Sequence, residues 1–538
     1  MNPQSSPNRK SSRIPVVNAA LLLVAVSLFG QILGFMRTKL INANFNTPHT
    51  PIGQNAGVYF AAFSIPDFFF FTIAAGALGV AFMPYLSDRL HHGDRKGVWE
   101  LSASLMNFLA IIMAGVAVVI LLFAEPLIHH IVAPGLKPAE LHNAVVMMRI
   151  LAFEPLLFTV SGILASAQQT MGRFFFFAIA PLFYNLSIIV SIFVFRHNIG
   201  IVGLGIGAMV GSVLQLLVIA VGSARLNFHW HPYILWKTKD FKSMLKQLPP
   251  RSLDQGMDQI QNVVETNFAS NPALGGATAI SNYNNAYILH TAPILLLGTA
   301  ISTAAFPRLN QRLSQGRPDL FRKDFLMILR AMIWLTLPVI IFCFFARGYL
   351  ARLIFTNNNG DISVIFGFLT VAIFFRIMYS IISRWFYAQK DTKTPLFVSI
   401  FTIAFNVYLA WKLSQPSSYG TAGLALAQSI VAAVEVTILG TIMLIRDRGL
   451  FNAAFWGGVV RIISVTGFSL VAGFIMISLY PLGLKDTGVI TLGGKLLGIA
   501  SVIFGVHIAM SALFGLEEVK PFIDRIKKII FKPINIEV

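Results

Sequence analysis

Apolar residues fill this chain in blocks of about 20, separated by short polar breaks. Blocks of that length are long enough to cross a hydrocarbon layer as helices, and only helices or closed barrels satisfy their backbone polar groups there. Fourteen spans are expected. The first group covers 16–44, 57–86, 98–124, 141–170, 174–195 and 200–224. The second covers 243–270, 277–309, 324–346, 361–389, 394–412 and 420–445. Two more cover 455–480 and 489–514. The pattern is written twice. Ala167-Gln168 is followed 17 positions later by Asn185, and Ala388-Gln389 is followed 17 positions later by Asn406. Gly200-Ile201-Val202-Gly203-Leu204 recurs as Gly420-Thr421-Ala422-Gly423-Leu424, and Ala81 to Leu86 has a looser echo in Ala305 to Leu309. Six spans are an even number, so both copies enter from the same side and the duplication is parallel. Two repeated bundles in a bilayer suggest lobes that move around a central site, the architecture of alternating access.

The expected fold class is therefore an all-α integral membrane protein with about 14 helices. A tail at 1–15 precedes an N-lobe at 16–225 and a C-lobe at 240–446. The extra pair follows at 455–514, then a basic tail at 515–538 in which Ile523, Ile526 and Ile530 with Lys527 and Lys528 predict an amphipathic helix on the membrane surface. Composition agrees: 56% of the 538 residues are hydrophobic and 12% are charged, where a soluble domain has about 25%. The net charge of +19 would suggest nucleic acid in a soluble protein. Here the basic residues crowd the N-terminus, alternate loops and the C-terminal tail. Only Lys137, Arg196, Arg347, Arg352, Lys412 and Lys485 fall on the other side. That bias predicts cytoplasmic termini, contact with membrane lipids and no nucleic-acid partner. The single cysteine, Cys343, excludes an intrachain disulfide. Segments 126–136 and 349–355 read as short interfacial helices.

The seventh block is poorly hydrophobic. Asp254, Asp258 and Gln261 share one helical face, continued by Glu265. Such a stripe cannot face lipid, so it lines protein or water; the alternative is a linker helix that does not span. Further ionisable residues inside the blocks are Arg37, Lys39, Asp67, Arg149, Glu154, Arg376, Arg384 and Glu435. Lys39 and Arg384 lie near block ends, where they can snorkel. No Gly-x-x-x-x-Gly-Lys-Ser/Thr loop and no nucleophile with its base is present, so neither direct ATP drive nor catalysis is expected.

Phe386-Tyr387-Ala388-Gln389-Lys390-Asp391-Thr392-Lys393-Thr394-Pro395 resembles the loop between the tenth and eleventh helices of the MurJ/MviN lipid II flippase family. Leu33 to Arg37, Ala56 to Pro84 with Phe63-Ser64-Ile65-Pro66, Ala133 to Leu136 and Pro181 to Asn185 are similar to further markers of that family. The resemblance runs across essentially the whole chain. It implies a fold of the multidrug/oligosaccharidyl-lipid/polysaccharide exporter superfamily, with two six-helix lobes around a V-shaped cavity and a groove for a polyprenyl tail at the last two helices. It implies a lipid-linked saccharide as substrate, undecaprenyl-pyrophosphate bearing a disaccharide-pentapeptide, moved across the bacterial cytoplasmic membrane. It also implies that Arg37 meets the pyrophosphate. Departures are visible. Gly30-Gln31 replaces Ser-Arg, Phe68 to Phe71 replaces an arginine pair, and Ala75 replaces an acid. Tyr287-Ile288 replaces Asp-Arg, and Ala410 stands one turn after Asn406 where a carboxylate is usual.

The expected substrate contacts are Arg37, Gln31, Ser64, Arg149 and Arg376. The expected coupling residues are Asp254, Asp258, Glu265, Asn406 and Glu435, acting on a Na+ or H+ rather than on any organic cofactor. Cell-wall synthases are candidate partners, and a monomer is expected. Two further readings stay open: an exporter of another polyprenyl-linked sugar or a drug-like cation, favoured by the lost arginines, and a non-transporting scaffold of the same fold.

Overall fold

The computed structural model describes residues 16–75, 82–355, 359–483, 486–520 and 523–524. Every regular element among them is helical. In chain order these are α1 Val16–Phe45, α2 Ala56–Phe69, α3 Met83–His91, α4 Arg95–Pro126, α5 Pro138–Leu151, α6 Glu154–Thr170, α7 Phe175–Phe195, α8 Val202–Ala224, α9 Lys239–Ala269, α10 Ala277–Pro293, α11 Ala300–Ser314, α12 Pro318–Ile354, α13 Asn359–Ala388, α14 Lys393–Leu413, α15 Thr421–Arg446, α16 Ala453–Leu479 and α17 Val489–Leu513. Twelve continuous helical stretches among the described residues are long and apolar enough to cross a membrane. α1 and α9 fall outside that set; at 30 and 31 residues each would reach about 45 Å. The expected surface helix of the basic tail lies almost wholly outside the described residues.

Prolines explain where the rods change pitch. Pro66, Pro126 and Pro293 each precede a widened π turn, at Phe70–Ala75, Leu127–Val132 and Ile294–Thr299. Proline lacks the N–H that would close the regular turn and its ring crowds the carbonyl four residues back, so the register slips. Segments 126–136 and 349–355 differ from expectation: the first begins as a π continuation of α4, and most of the second is the end of α12. Ala152 and Phe153 interrupt the fourth span, and Pro155 at the second position of α6 restarts it.

The duplicated glycines have a shared mechanical reason. Gly200 and Gly420 adopt φ of +70° and +57°, a region open to glycine at no steric cost. A Cβ on Gly203 would lie 2.2 Å from Phe195, and one on Gly423 would lie 2.0 Å from the Leu413 carbonyl oxygen. Glycine at both positions lets α8 and α15 fold back tightly on α7 and α14.

The chain forms two compact units that do not follow the duplication. One holds the chain up to Leu40 with Pro66–Phe123 and Val146–Gly256. The other holds Ile41–Ile65, Ala124–Val145 and everything from Met257 onward. Inside the first, a core forms around Leu101, Leu105, Ile163 and Phe241. Inside the second, α12, α16 and α17 share a core around Ile341, Leu496 and Ile503. A buried polar knot locks those three helices. Trp334 Nε1 donates to Ser511 Oγ at 2.8 Å, and His507 bridges Ser469 Oγ and the Trp334 carbonyl.

Candidate functional site

Two groups of ionisable side chains sit on the long helices, one group in each unit. In the first unit, α1 supplies Arg37, α2 Asp67 and α6 Glu154. Arg37 acts electrostatically on both acids, and Asp67 on Glu154. Glu154 is buried and opens α6, where the broken helix presents N–H groups that favour a carboxylate. Its Oε1 accepts from Tyr184 Oη of α7 at 2.7 Å. Arg149, on the last turn of α5, is exposed and makes no ion pair with Glu154 among the described residues. Gln31 is exposed on α1. Ser64 belongs to the other unit, where it is buried and donates to the Phe60 carbonyl of its own helix at 3.1 Å.

The second unit holds a longer network. Gln261 Nε2 of α9 and Gln428 Nε2 of α15 both donate to Glu265 Oε1, each at 2.9 Å. Arg376 of α13 reaches Gln428 Oε1 at 3.4 Å and pairs with Glu435 Oε2 at 3.2 Å. Glu435 Oε1 accepts from Ser399 Oγ of α14 at 2.9 Å and from Thr402 Oγ1 at 3.4 Å. Asp258 is exposed on α9 and interacts electrostatically with Arg376 and Glu435. The network thus joins four helices, and Arg376 is its central cation. An ion pair taken out of water is tolerable only when the remaining polar atoms find partners, and the flanking Gln, Ser and Thr supply them. Asn406, one turn beyond Thr402, is fully buried with neither amide atom partnered; His290 is buried with both ring nitrogens unpartnered. The side chain of Asp254 lies outside those described.

Of the expected residues, the structure therefore gathers Asp258, Glu265, Arg376 and Glu435, with Asn406 on the same helix as Ser399 and Thr402. Arg37 keeps company with two acids. Sequence reasoning missed Gln428, Ser399, Thr402 and Tyr184. The signal for Gln428 was present: it stands seven positions before Glu435 on one face of α15.

Sequence reasoning also missed an uncharged polar seam in the second unit. Asn42 and Asn285 exchange amide hydrogen bonds at 3.0 and 2.6 Å. Asn46 Nδ2 donates to Asn42 Oδ1 at 3.1 Å and to Ser281 Oγ at 3.2 Å, and Asn55 Nδ2 donates to Thr278 Oγ1 at 3.1 Å. Nearby, a Cβ on Gly57 would lie 1.8 Å from the Ala277 carbonyl oxygen, and one on Gly135 would lie 2.0 Å from that of Ser270. Only glycine permits those approaches. The end of α1 and the start of α2 are thereby latched to α10.

The resembling loop also acquires a cause. Asp391 Oδ1 accepts from the backbone N–H groups of Lys393 and Thr394 at 3.1 and 3.0 Å, capping α14. Its Oδ2 accepts from Thr394 Oγ1 and Arg446, both at 2.6 Å. Burial raises the Asp391 carboxyl, but these bonds prevail and hold it down to about 2.

Residues 52–486 match the family model described as lipid II flippase MurJ. The chain is 23% identical over 438 residues to the probable lipid II flippase MurJ of Borreliella burgdorferi, covering 80% of this chain and 84% of that one. It is 24% identical to the corresponding protein of Synechocystis, covering 87% and 89%. Among solved structures it is similar to a lipid II flippase MurJ in an inward closed conformation, with TM-score 0.74, 21% identity, and 92% and 98% of the two chains covered. It is also similar to an inward-facing multidrug transporter of the MATE family, with TM-score 0.62 and 16% identity over 83% and 98%. The chain belongs to the MurJ lipid II flippase family.

Proposed function

We propose that this protein moves lipid II, a polyprenyl-pyrophosphate bearing a disaccharide-pentapeptide, from the inner to the outer leaflet of the bacterial cytoplasmic membrane by alternating access. In this reading the chain crosses fourteen times, with α1 and α9 as the two spans beyond the apolar twelve, and both termini lie in the cytoplasm. The observation that carries it is the pair of ion clusters held inside the membrane by a twice-used helical frame, in a chain of the flippase family. Intramembrane charge is costly and is kept where a substrate or ion needs it. Arg37 supplies the guanidinium that a pyrophosphate recognises with charge-assisted bonds. The asparagine seam between α1 and α10 closes the outer side. Being uncharged, it opens without stranding an ion in lipid, at a cost of about 1 kcal/mol per bond.

The coupling step belongs to the C-terminal network. Glu265, Glu435 and Asp258 exceed what Arg376 alone can neutralise, so the network has room for a proton or a monovalent cation. The same imbalance favours a second reading. Across both clusters Asp67, Glu154, Asp258, Glu265 and Glu435 outnumber Arg37 and Arg376, which suits a cationic cargo better than an anionic one. Rescue of a flippase-depleted cell separates the two. The wild-type chain is expected to restore growth and to make lipid-linked precursor accessible on the outer leaflet. Arg37→Ala is expected to abolish both with folded protein undiminished. Full growth with that variant would remove the anchoring role. A wild-type chain that fails to rescue, yet exports a lipophilic cation, would establish the second reading.

A further inference from the structure

The connection between α8 and α9 carries chemistry that the transport reading does not use. Residues 226–238 form no helix, yet they are held firmly against α4. Asn107 Nδ2 donates to the carbonyls of His231 and Tyr233 at 2.7 and 3.2 Å, and its Oδ1 accepts from Trp230 Nε1 at 2.9 Å. His231 Nε2 lies 3.0 Å from the Glu100 carbonyl oxygen. Phe228 packs edge-on against Trp99, Trp236 against Phe108, and His231 stacks on Tyr233. A strap with this many anchors would be expected to bury its aromatics. It does the reverse with three of them: Trp230, Tyr233 and Trp236 are 58%, 52% and 51% exposed.

Beside these rings stand Lys237, Lys239, Lys242 and Lys246, all exposed. The last three follow one another at i, i+3 and i+7, a single face at the start of α9. Among the described residues no carboxylate pairs with any of them. The nearby Asp240 is taken by Arg89 at 2.9 Å. The strap's contacts on α4, from Trp99 to Phe108, straddle the point where that helix turns from polar to apolar, which sets the level of the strap at the membrane–water boundary. Aromatic rings with a polar edge favour that level, and lysines there reach acidic headgroups.

We propose that residues 226–246 form a preorganised binding surface for anionic phospholipid headgroups of the leaflet on their side of the membrane. The rings lie among the glycerol and upper acyl groups, and the four ammonium groups contact headgroup phosphates. Asn107 is the positioning residue that fixes the strap. The surface is independent of the transported cargo and of the ion clusters.

The test uses the full chain reconstituted in phosphatidylcholine vesicles containing phosphatidylglycerol. Bromine atoms are placed near the headgroup on either the phosphatidylglycerol or an equal amount of the phosphatidylcholine. Tryptophan quenching is compared between the wild type and Trp230→Phe/Trp236→Phe, so that the difference reports the strap. The expected result is several-fold stronger quenching of the strap by brominated phosphatidylglycerol than by brominated phosphatidylcholine. That preference should vanish in the variant with all four lysines changed to Gln, which alters only exposed side chains. Equal quenching by the two lipids would overturn the proposal. So would a preference that survives the loss of the lysines, or a strap quenched by aqueous acrylamide and by neither lipid.

Discussion

In the first half, Gly200 and Gly203 fold α8 onto α7; in the second, Gly420 and Gly423 fold α15 onto α14. The frame is the same, and the contents have diverged. Asn185 is partly exposed and donates to its own helix, at the Pro181 carbonyl. Its counterpart Asn406 is fully buried and unpartnered. Near the start of α6 stands an acid, Glu154; within one residue of the equivalent place in α13 stands a base, Arg376. Backbone constraints at a tight hairpin leave glycine as the only solution, so they persist through duplication. Side chains that face a site answer to chemistry, so they separate. The first half holds Glu154 with a neutral tyrosine hydroxyl, whereas the second holds Glu265 and Glu435 with a guanidinium and four neutral donors.

That contrast predicts unequal fragility. Arg376→Ala leaves Glu435 buried without its counter-charge, a change that costs about 3–5 kcal/mol. Glu154→Gln keeps an acceptor for Tyr184 and should cost well under half as much. Denaturant unfolding of both variants in the same detergent reads the difference. Equal losses would mean that the two clusters are energetically alike, and the asymmetry drawn from their hydrogen bonds would fail. A further variant, Arg376→Met with Glu435→Leu, should recover part of the loss, because it removes the stranded Glu435 charge while still depriving Asp258 and Glu265 of the guanidinium.

Next in size is the asparagine seam. Asn285→Leu removes both hydrogen bonds exchanged between Asn42 and Asn285, worth about 1–3 kcal/mol against the latched arrangement. Cys343 is buried and is the chain's lone cysteine, so a cysteine placed at Ser281 in a Cys343→Ala background reports opening. Labelling by an aqueous maleimide should rise several-fold with Asn285→Leu. Unchanged labelling would show that the glycine contacts at Gly57 and Gly135 hold this region without the seam.

The sequence was most legible where periodicity and backbone geometry rule. The apolar blocks anticipated nearly every helix, because length and hydropathy decide what crosses a bilayer. The acidic stripe of α9 predicted Asp258 and Glu265 in a polar environment, and both sit in or beside the C-terminal network. Less legible was anything set by which neutral side chain meets which. Asn42, Asn46, Ser281 and Asn285 are unremarkable near helix ends until the fold brings residues 243 positions apart into contact. From sequence, Arg376 is expected at the substrate; its pairing with Glu435 depends on packing between α13 and α15, which no local pattern records. Ser64 carries a family resemblance, and its hydroxyl donates to the Phe60 carbonyl of its own helix, a bond the sequence pattern does not announce.

The smallest effect separates mechanical from chemical conservation within the second half itself. Asp391 lies in the loop before α14, outside the spans, where it caps that helix and tethers Arg446. Asp391→Asn keeps one acceptor for the cap but weakens the bond to Arg446, so it should cost about 1 kcal/mol and leave transport intact. The sign of its pH dependence follows from its lowered carboxyl. Burial acts to raise it, the hydrogen bonds from Thr394 and Arg446 outweigh that, and the folded value falls from 3.8 to about 2. The stabilisation is therefore complete above the ordinary value of 3.8 and is lost as pH falls from there through 2. The wild type and Asp391→Asn should differ in unfolding midpoint at neutral pH and converge across that acid window. A gap that stays constant down to pH 2 would mean that the carboxylate charge contributes nothing, and that the loop motif is held by shape alone.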